Sequence, residues 1–366
     1  MKFGMLHLFE SPSGRSEQQM ILEQHSLMEA AEGYGFDSVW PAEHHFTEYG
    51  VCGSPAINLA AIARTTKTIR LGTGIVVLPF HNPVRVAEDF AMLDQLSGGR
   101  VELGVGRGYQ PIEFQGFGVD QTKSREIFDE SIEIIRRCWT DEKLNFKGKH
   151  YEFKDVEVRP RPLQRPHPPI WMAALSEETF EKAGKMGFNL LLSPLFGGSL
   201  EGAGDRIKRY RDTLADNGFD PATREVGALV MTYTSKTQEQ AHKEFADPVI
   251  WYFRTFGKFV APKLGQPPIE GYEWYTDIRD LASVVEWDTL LSHGAVICGE
   301  QEWDTLLSHG AVICGEQDYV TEKLHEMQEI TGIDHLLGWT RLGGLADDLV
   351  IAHMERMRDS IMPSLR

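Results

Sequence analysis

Along the chain, short runs of buried-type residues alternate with stretches whose apolar positions recur every three or four residues. The apolar runs fall at 2–8, 36–41, 70–78, 101–106, 170–174, 189–192, 226–233 and 334–339. Runs this short, bounded by turn residues and apolar on successive positions, predict strands covered on both faces. Between them the periodicity predicts helices over 16–34, 56–64, 83–96, 125–139, 177–185, 200–217 and 347–362, with another helical stretch at 318–328. Met20, Ile21, Leu27 and Met28 mark the apolar face of the first helix. Pro83 opens the third, where its missing N–H costs nothing. Residues 145–169 predict a hairpin excursion that ends in the Pro-rich segment RPRPLQRPHPP.

Eight such strands separated by helices predict a closed, single (β/α)8 TIM barrel. An open doubly wound sheet would place a glycine-rich fingerprint after its first strand. Here the first run leads into Phe9-Glu10-Ser11-Pro12 instead. The barrel makes 1–366 one domain, although length alone, at roughly 150 residues per domain, would suggest two or three.

The connection between strands seven and eight is a long insertion of about 100 residues, and a segment of that length holds helices and a functional lid rather than bare loop. Within it EWDTLLSHGAVICGEQ occupies 286–301 and recurs letter for letter at 302–317. Two copies are too few for a stacked-repeat architecture. The expectation is a tandem insertion, with the second copy in the native position leading into the 318–328 helix. The first copy is then accommodated outside the eight strands.

Composition narrows the function classes. A hydrophobic fraction of 42% with 25% charged residues belongs to a globular protein, not a disordered one. Lys and Arg total 37 against 54 Asp and Glu, a net charge of −17, which argues against nucleic-acid and anionic-membrane partners. Of the four Cys, Cys298 and Cys314 are one residue in two copies. That number is too small for a disulfide scaffold and suits a reducing compartment. The opening MKFGMLHLFE is not expected to be a signal peptide, and no apolar run is long enough to span a bilayer. A cytoplasmic enzyme is the expectation.

In a barrel of this kind the active site lies at the C-terminal ends of the strands. Glu10 and Ser11 follow the first strand, Glu43, His44 and His45 the second, His81 and Asn82 the third. Arg107 and Tyr109 follow the fourth, and Ser176 and Thr179 the fifth. Adjacent His side chains in extended chain point to opposite faces, so His44 and His45 are poor joint ligands and no metal site is expected. Acid–base machinery and a merely hydrogen-bonded pair both remain open for them on residue type alone. Gly104-Val105-Gly106-Arg107-Gly108 lacks the dinucleotide-binding spacing, and Tyr109-Gln110-Pro111 is not expected to open a helix at once. The turn still allows close backbone approach to a ligand, with Arg107 suited to a phosphate. Ser176 is placed to cap a helix whose N-terminus attracts anions, although Glu177 and Glu178 would repel a dianion unless they face solvent.

Several of these segments together resemble the bacterial luciferase-like flavin monooxygenases. They are Phe36-Asp37-Ser38-Val39-Trp40, Glu43-His44-His45-Phe46-Thr47-Glu48-Tyr49-Gly50, Arg70-Leu71-Gly72-Thr73-Gly74, Leu96-Ser97-Gly98-Gly99-Arg100, Gly104 to Gly108, and Phe117-Gly118-Val119-Asp120. Gly332-Ile333-Asp334-His335-Leu336-Leu337 and Met362-Pro363 extend the resemblance over nearly the whole chain except the duplicated copy.

The resemblance implies a barrel that uses FMN, reduced by a separate NAD(P)H:flavin reductase, and O2. A flavin C4a-peroxide then oxygenates a small organic substrate. Arg107, Ser176 and Thr179 match positions that hold the FMN phosphate. Gly74 and Ile75 match the strand end against which the flavin ring packs, where the family often has a cis peptide. Glu43 matches a carboxylate near the flavin, His44 a proton-transfer group, and His45 its more structural neighbour. Phe80, Tyr109 and Trp251, with Phe253 and Phe256, are candidates for the substrate pocket. Residues 256–277 resemble the mobile lid, and a homodimer is implied. Where some luciferase α-subunits carry a reactive Cys, this chain has Gly106, which is expected to leave room beside the flavin. A flavin- or deazaflavin-dependent dehydrogenase on the same barrel, and a non-catalytic flavin-binding relative, are the alternative functions.

Overall fold

The computed structural model describes residues 1–12, 14–193, 199–262, 266–272, 275 and 312–366. All eight apolar runs contain strands, here numbered β1 (Lys2–His7), β2 (Ser38–Pro41), β3 (Arg70–Gly72), β4 (Val101–Gly106), β5 (Ile170–Ala174), β6 (Asn189–Leu192), β7 (Val226–Thr234) and β8 (His335–Gly338). Every neighbouring pair is parallel. The ring closes through β8, which pairs Lys2 of β1 with His335 and Gly227 of β7 with the same His335. The outcome is the TIM barrel that the pattern predicts, because a strand covered by helices outside and side chains inside has no polar face to display.

The helices start and stop where local chemistry dictates. Ser16 caps Glu17–Gly33 and shares a capping box with Gln19. Asn82 caps Pro83–Ser97, whose end is Gly98 in the left-handed conformation. Among the described residues, no helix is long and apolar enough to cross a membrane. The 145–169 excursion is an antiparallel pair, Leu144–Lys147 with Glu152–Val156, followed by the Pro-rich segment.

The third strand is shorter than its apolar run. It ends at Gly72, and Val76–Val77 rejoins the sheet beside Val105 and Gly106. Between them the Thr73 side chain replaces the ladder: its Oγ1 donates to the Gly104 carbonyl at 2.7 Å and accepts from the Gly104 N–H at 2.9 Å. A hydroxyl substituting for backbone pairing is invisible to a hydrophobicity pattern.

The barrel interior is plugged at its N-terminal half. Trp40, Trp171 and His335 meet edge to face with centroids 5.3–6.0 Å apart. Trp40 Nε1 donates to Ser38 Oγ at 2.7 Å, and Trp171 Nε1 donates to Glu102 at 2.7 Å. Gly72 makes this possible, since a Cβ there would lie 2.2 Å from the Trp40 ring. Any cavity in the barrel must therefore open at the C-terminal mouth.

The connection after β7 begins with the helix Gln238–Phe259. Val312–Gly315 then adds a strand beside the upper half of β7, with Met231 opposite Val312, and Gln317–Thr331 leads into β8. The first copy of the duplicated unit and the second as far as residue 311 lie outside the described residues. So do residues 263–265, 273–274 and 276–277 of the lid-like stretch.

Candidate active site

A cavity of about 520 Å³ occupies the C-terminal mouth. The strand ends supply its walls: Leu6 and Leu8 at the end of β1, Glu43 and His44 after β2, Gly106 to Tyr109 at the end of β4, and Ala174 to Ser176 at the end of β5.

Two buried carboxylates organise the His pair. Glu43 Oε1 accepts from His45 Nε2 at 2.9 Å and from His81 Nε2 at 2.7 Å, while Oε2 accepts the Val77 N–H at 3.0 Å. Burial pushes its carboxyl up, but the bonds from His45 and His81, the His81 charge and the Val77 N–H together hold it below the ordinary carboxylate range. Burial likewise pulls His81 down, and the bond to Glu43 with its charge more than offsets this, leaving His81 above its ordinary value. On the other side, Glu113 Oε1 accepts from His44 Nδ1 at 2.9 Å and from the His45 backbone N–H at 2.9 Å. The two adjacent rings thus turn to different carboxylates, as side chains of consecutive extended residues must.

Nothing in the sequence pattern singles out Glu113. Contrary to the expectation for Tyr109-Gln110-Pro111, Gln110 leads directly into a helix, Pro111–Phe117, and Glu113 sits in its first turn. Pro at the first helical position followed two residues later by an acid is the signal that could have found it.

Arg107, also on the wall, is half-buried, with its guanidinium 5.1 Å from the centre of the Tyr272 ring. It has no hydrogen bond or ion pair to any described residue. Ser176 precedes the helix Glu177–Met186 but makes no cap bond to it, and its Oγ lies 3.0 Å from Thr179 Oγ1. The two acids that open this helix are already neutralised, Glu177 by Arg209 at 2.7 Å and Glu178 by Arg125. Lys182, also on the wall, pairs with Asp129. Arg107 is then the cation of this wall without an ion pair among the described residues, in the same cavity as two hydroxyls and a helix N-terminus.

Gly74 and Ile75 line the cavity and the bond between them is cis. The space at Gly106 is not open, since Ile75 Cδ1 lies 2.2 Å from where a Cβ would stand. The room expected beside a ligand is taken by Ile75 folding over.

Of the pocket candidates, Tyr109 is on the wall. Trp251 is not; its neighbour Tyr252 is, because one residue turns a helix by about 100° and presents a different face. Phe80, Phe253 and Phe256 also stay off the wall. Phe80 packs instead on Phe114 and Phe117, each with centroids 4.9 Å away. His45 is held behind Glu43 and does not line the cavity either.

Glu10, after β1, is 3% exposed and bonded by the Gly343 N–H. Burial pushes its carboxyl up to about 8 from 4.5, outweighing Gly343 and Arg341. Folding therefore takes up a proton between these two values. The stability that proton uptake contributes is complete below about 4.5 and is lost as pH rises towards 8, on the order of 5 kcal/mol in all. Glu10→Gln keeps the shape and the acceptor for Gly343. Its urea midpoint is expected to match wild type near pH 4.5 and exceed it at pH 8; a difference independent of pH would contradict this assignment.

Residues 1–335 match a family model described as luciferase-like monooxygenase. The alkanal monooxygenase alpha chain of the Kryptophanaron alfredi symbiont is 32% identical over 243 residues, 66% of this chain and 67% of that protein. The oxygenase component of flavin-dependent trigonelline monooxygenase from Acinetobacter baylyi is 29% identical over 255 residues, 69% of this chain and 70% of that protein. This chain thus spans about two thirds of the length of these curated relatives. The crystal structure of monooxygenase RslO1 from Streptomyces bottropensis superposes over all of both chains, with a TM-score of 0.84 and 26% identity.

Proposed function

The chain belongs to the luciferase-like monooxygenase family, and on that premise we propose that it is the oxygenase of a two-component FMN monooxygenase. A separate NAD(P)H:flavin reductase supplies reduced FMN, O2 is the co-substrate, and one oxygen atom enters a small organic substrate. The observation that carries this reading is Arg107, unpaired among the described residues beside Ser176, Thr179 and a helix N-terminus, in the same cavity as the His44–Glu113 pair.

The residues fit FMN. The guanidinium, two hydroxyls and helix N-terminus form a site for a phosphate dianion. Leu6, Ile75, Met172, Leu191 and Leu229 wall an apolar space suited to a planar ring. Reduced FMN, when bound, supplies the activation of O2 and its transfer.

The chain's own residues do the rest. The apolar wall excludes water, which protects reactive species from hydrolysis. Glu113, an acceptor, keeps the proton of neutral His44 on Nδ1, so Nε2 is the nitrogen that takes or gives a proton at the substrate. Glu43, held anionic by His45 and His81, ties this loop to Val77 and keeps both strand ends in register. His45 acts through Glu43 and is a positioning residue. The reading also carries a homodimer in solution, checked by light scattering for twice the single-chain mass.

The test is turnover with photoreduced FMN under ¹⁸O2, with mass spectrometry of the products and substrate-dependent suppression of H2O2 release. One labelled oxygen per product is expected. Anaerobic turnover with reduced deazaflavin would make the protein a dehydrogenase. Flavin binding with no substrate-dependent oxygenation would make it a non-catalytic relative.

A further inference from the structure

Three tyrosines from three separate segments bring their hydroxyls together on the cavity wall. Tyr49 follows β2, Tyr109 follows β4, and Tyr252 lies on the helix after β7. Tyr109 OH donates to Tyr49 OH at 3.0 Å, and Tyr49 OH and Tyr252 OH are 3.0 Å apart. The mechanism above uses none of them.

Proton counting gives this chain a property that a single tyrosine lacks. Three hydroxyls carry three protons, and two bonds within the chain consume two of them. One O–H donor is left over, and the bonds behind it polarise it. Burial pushes all three phenols above their ordinary range, so each stays protonated through neutral pH. The hydroxyls are also held in place. Tyr49 meets His44 edge to face at 4.7 Å, Tyr252 meets Trp339 edge to face at 4.4 Å, and Tyr109 stacks on Tyr275 at 5.4 Å with an interplanar angle of 7°.

We propose that this wall binds an aromatic substrate through one oxygen on its ring, which accepts the spare proton of the Tyr109–Tyr49–Tyr252 chain. Aromatic walls of this kind offer a flat ring edge and face contacts worth more than their area. One fixed donor matches one neutral or phenolic oxygen. A carboxylate or phosphate would need a cation as well, and Arg107 is committed to the flavin corner. A saturated alkyl chain would cover the hydroxyls and leave the spare proton without a partner, which is costly in a dry site. The proposal rests on the oxygenase reading for the fate of the ring but not for binding.

The test uses the full chain saturated with oxidised FMN, and equilibrium dialysis of 1-naphthol, naphthalene and decanal. 1-Naphthol is expected to bind about tenfold more tightly than naphthalene and more tightly than decanal, as one hydrogen bond in a dry site predicts. A single Phe substitution still leaves an O–H over, so the variant is the triple Tyr49→Phe/Tyr109→Phe/Tyr252→Phe, in which that tenfold advantage should vanish while naphthalene and FMN bind as before. Should that variant fail to bind FMN, 1-methoxynaphthalene, which accepts but cannot donate, provides the comparison on the unaltered chain: it too is expected to bind more tightly than naphthalene, and equal binding would overturn the proposal. Equal binding of 1-naphthol and naphthalene, tightest binding of decanal, or an undiminished advantage in a folded variant would each overturn the proposal. Absence of ¹⁸O incorporation would remove the oxygenase reading and leave this result standing; the reverse also holds.

Discussion

His44→Ala is expected to lower substrate oxygenation by about 10²–10⁴-fold while leaving FMN affinity close to that of wild type. The size follows from what the side chain would do. A positioned imidazole gives or takes a proton at the reacting centre, and Ala leaves that step to water in a wall that excludes water. FMN binding should persist because His44 makes its one side-chain hydrogen bond to Glu113 and none to Arg107, Ser176 or Thr179. Single-turnover oxygenation with photoreduced FMN measures the first quantity, and titration with oxidised FMN the second. Unchanged turnover in a variant that binds FMN would remove His44 from the mechanism. Equal losses in both would make it a structural residue.

Arg107→Met should raise the Kd for FMN by about 10–100-fold, the value of charge-assisted hydrogen bonds to a phosphate. Met keeps the length and the contact with the Tyr272 ring but removes the charge. Riboflavin, which lacks the phosphate, provides the internal control: its affinity should not change. A parallel loss for both flavins would mean that Arg107 supports the wall rather than the phosphate. The same substitution should flatten the salt dependence of FMN binding, since the other charges of this corner are already paired.

Much of the fold was legible because each strand is covered on both faces, and burial of that kind leaves a continuous apolar run. The break after Gly72 was not legible, since it depends on Thr73 Oγ1 bonding to Gly104 across 31 residues. The two errors at the site have similar causes. Placing Trp251 or Tyr252 on the wall needs the rotational phase of the helix, which composition does not carry. Room beside Gly106 was inferred from the missing side chain alone, whereas the neighbouring strand end delivers Ile75 into it.

By itself the sequence determined the barrel, the eight strand ends and hence the set of residues gathered at one mouth, because those depend on near-neighbour periodicity. Only the tertiary structure decided which of them act together. That His44 answers to Glu113 and His81 to Glu43, that Arg107 has no ion pair among the described residues, and that three distant tyrosines share one chain of hydrogen bonds all depend on how separate loops dock. A hydrogen bond exists over a few tenths of an ångström, and a one-dimensional pattern holds no information at that scale about groups 60 to 203 residues apart.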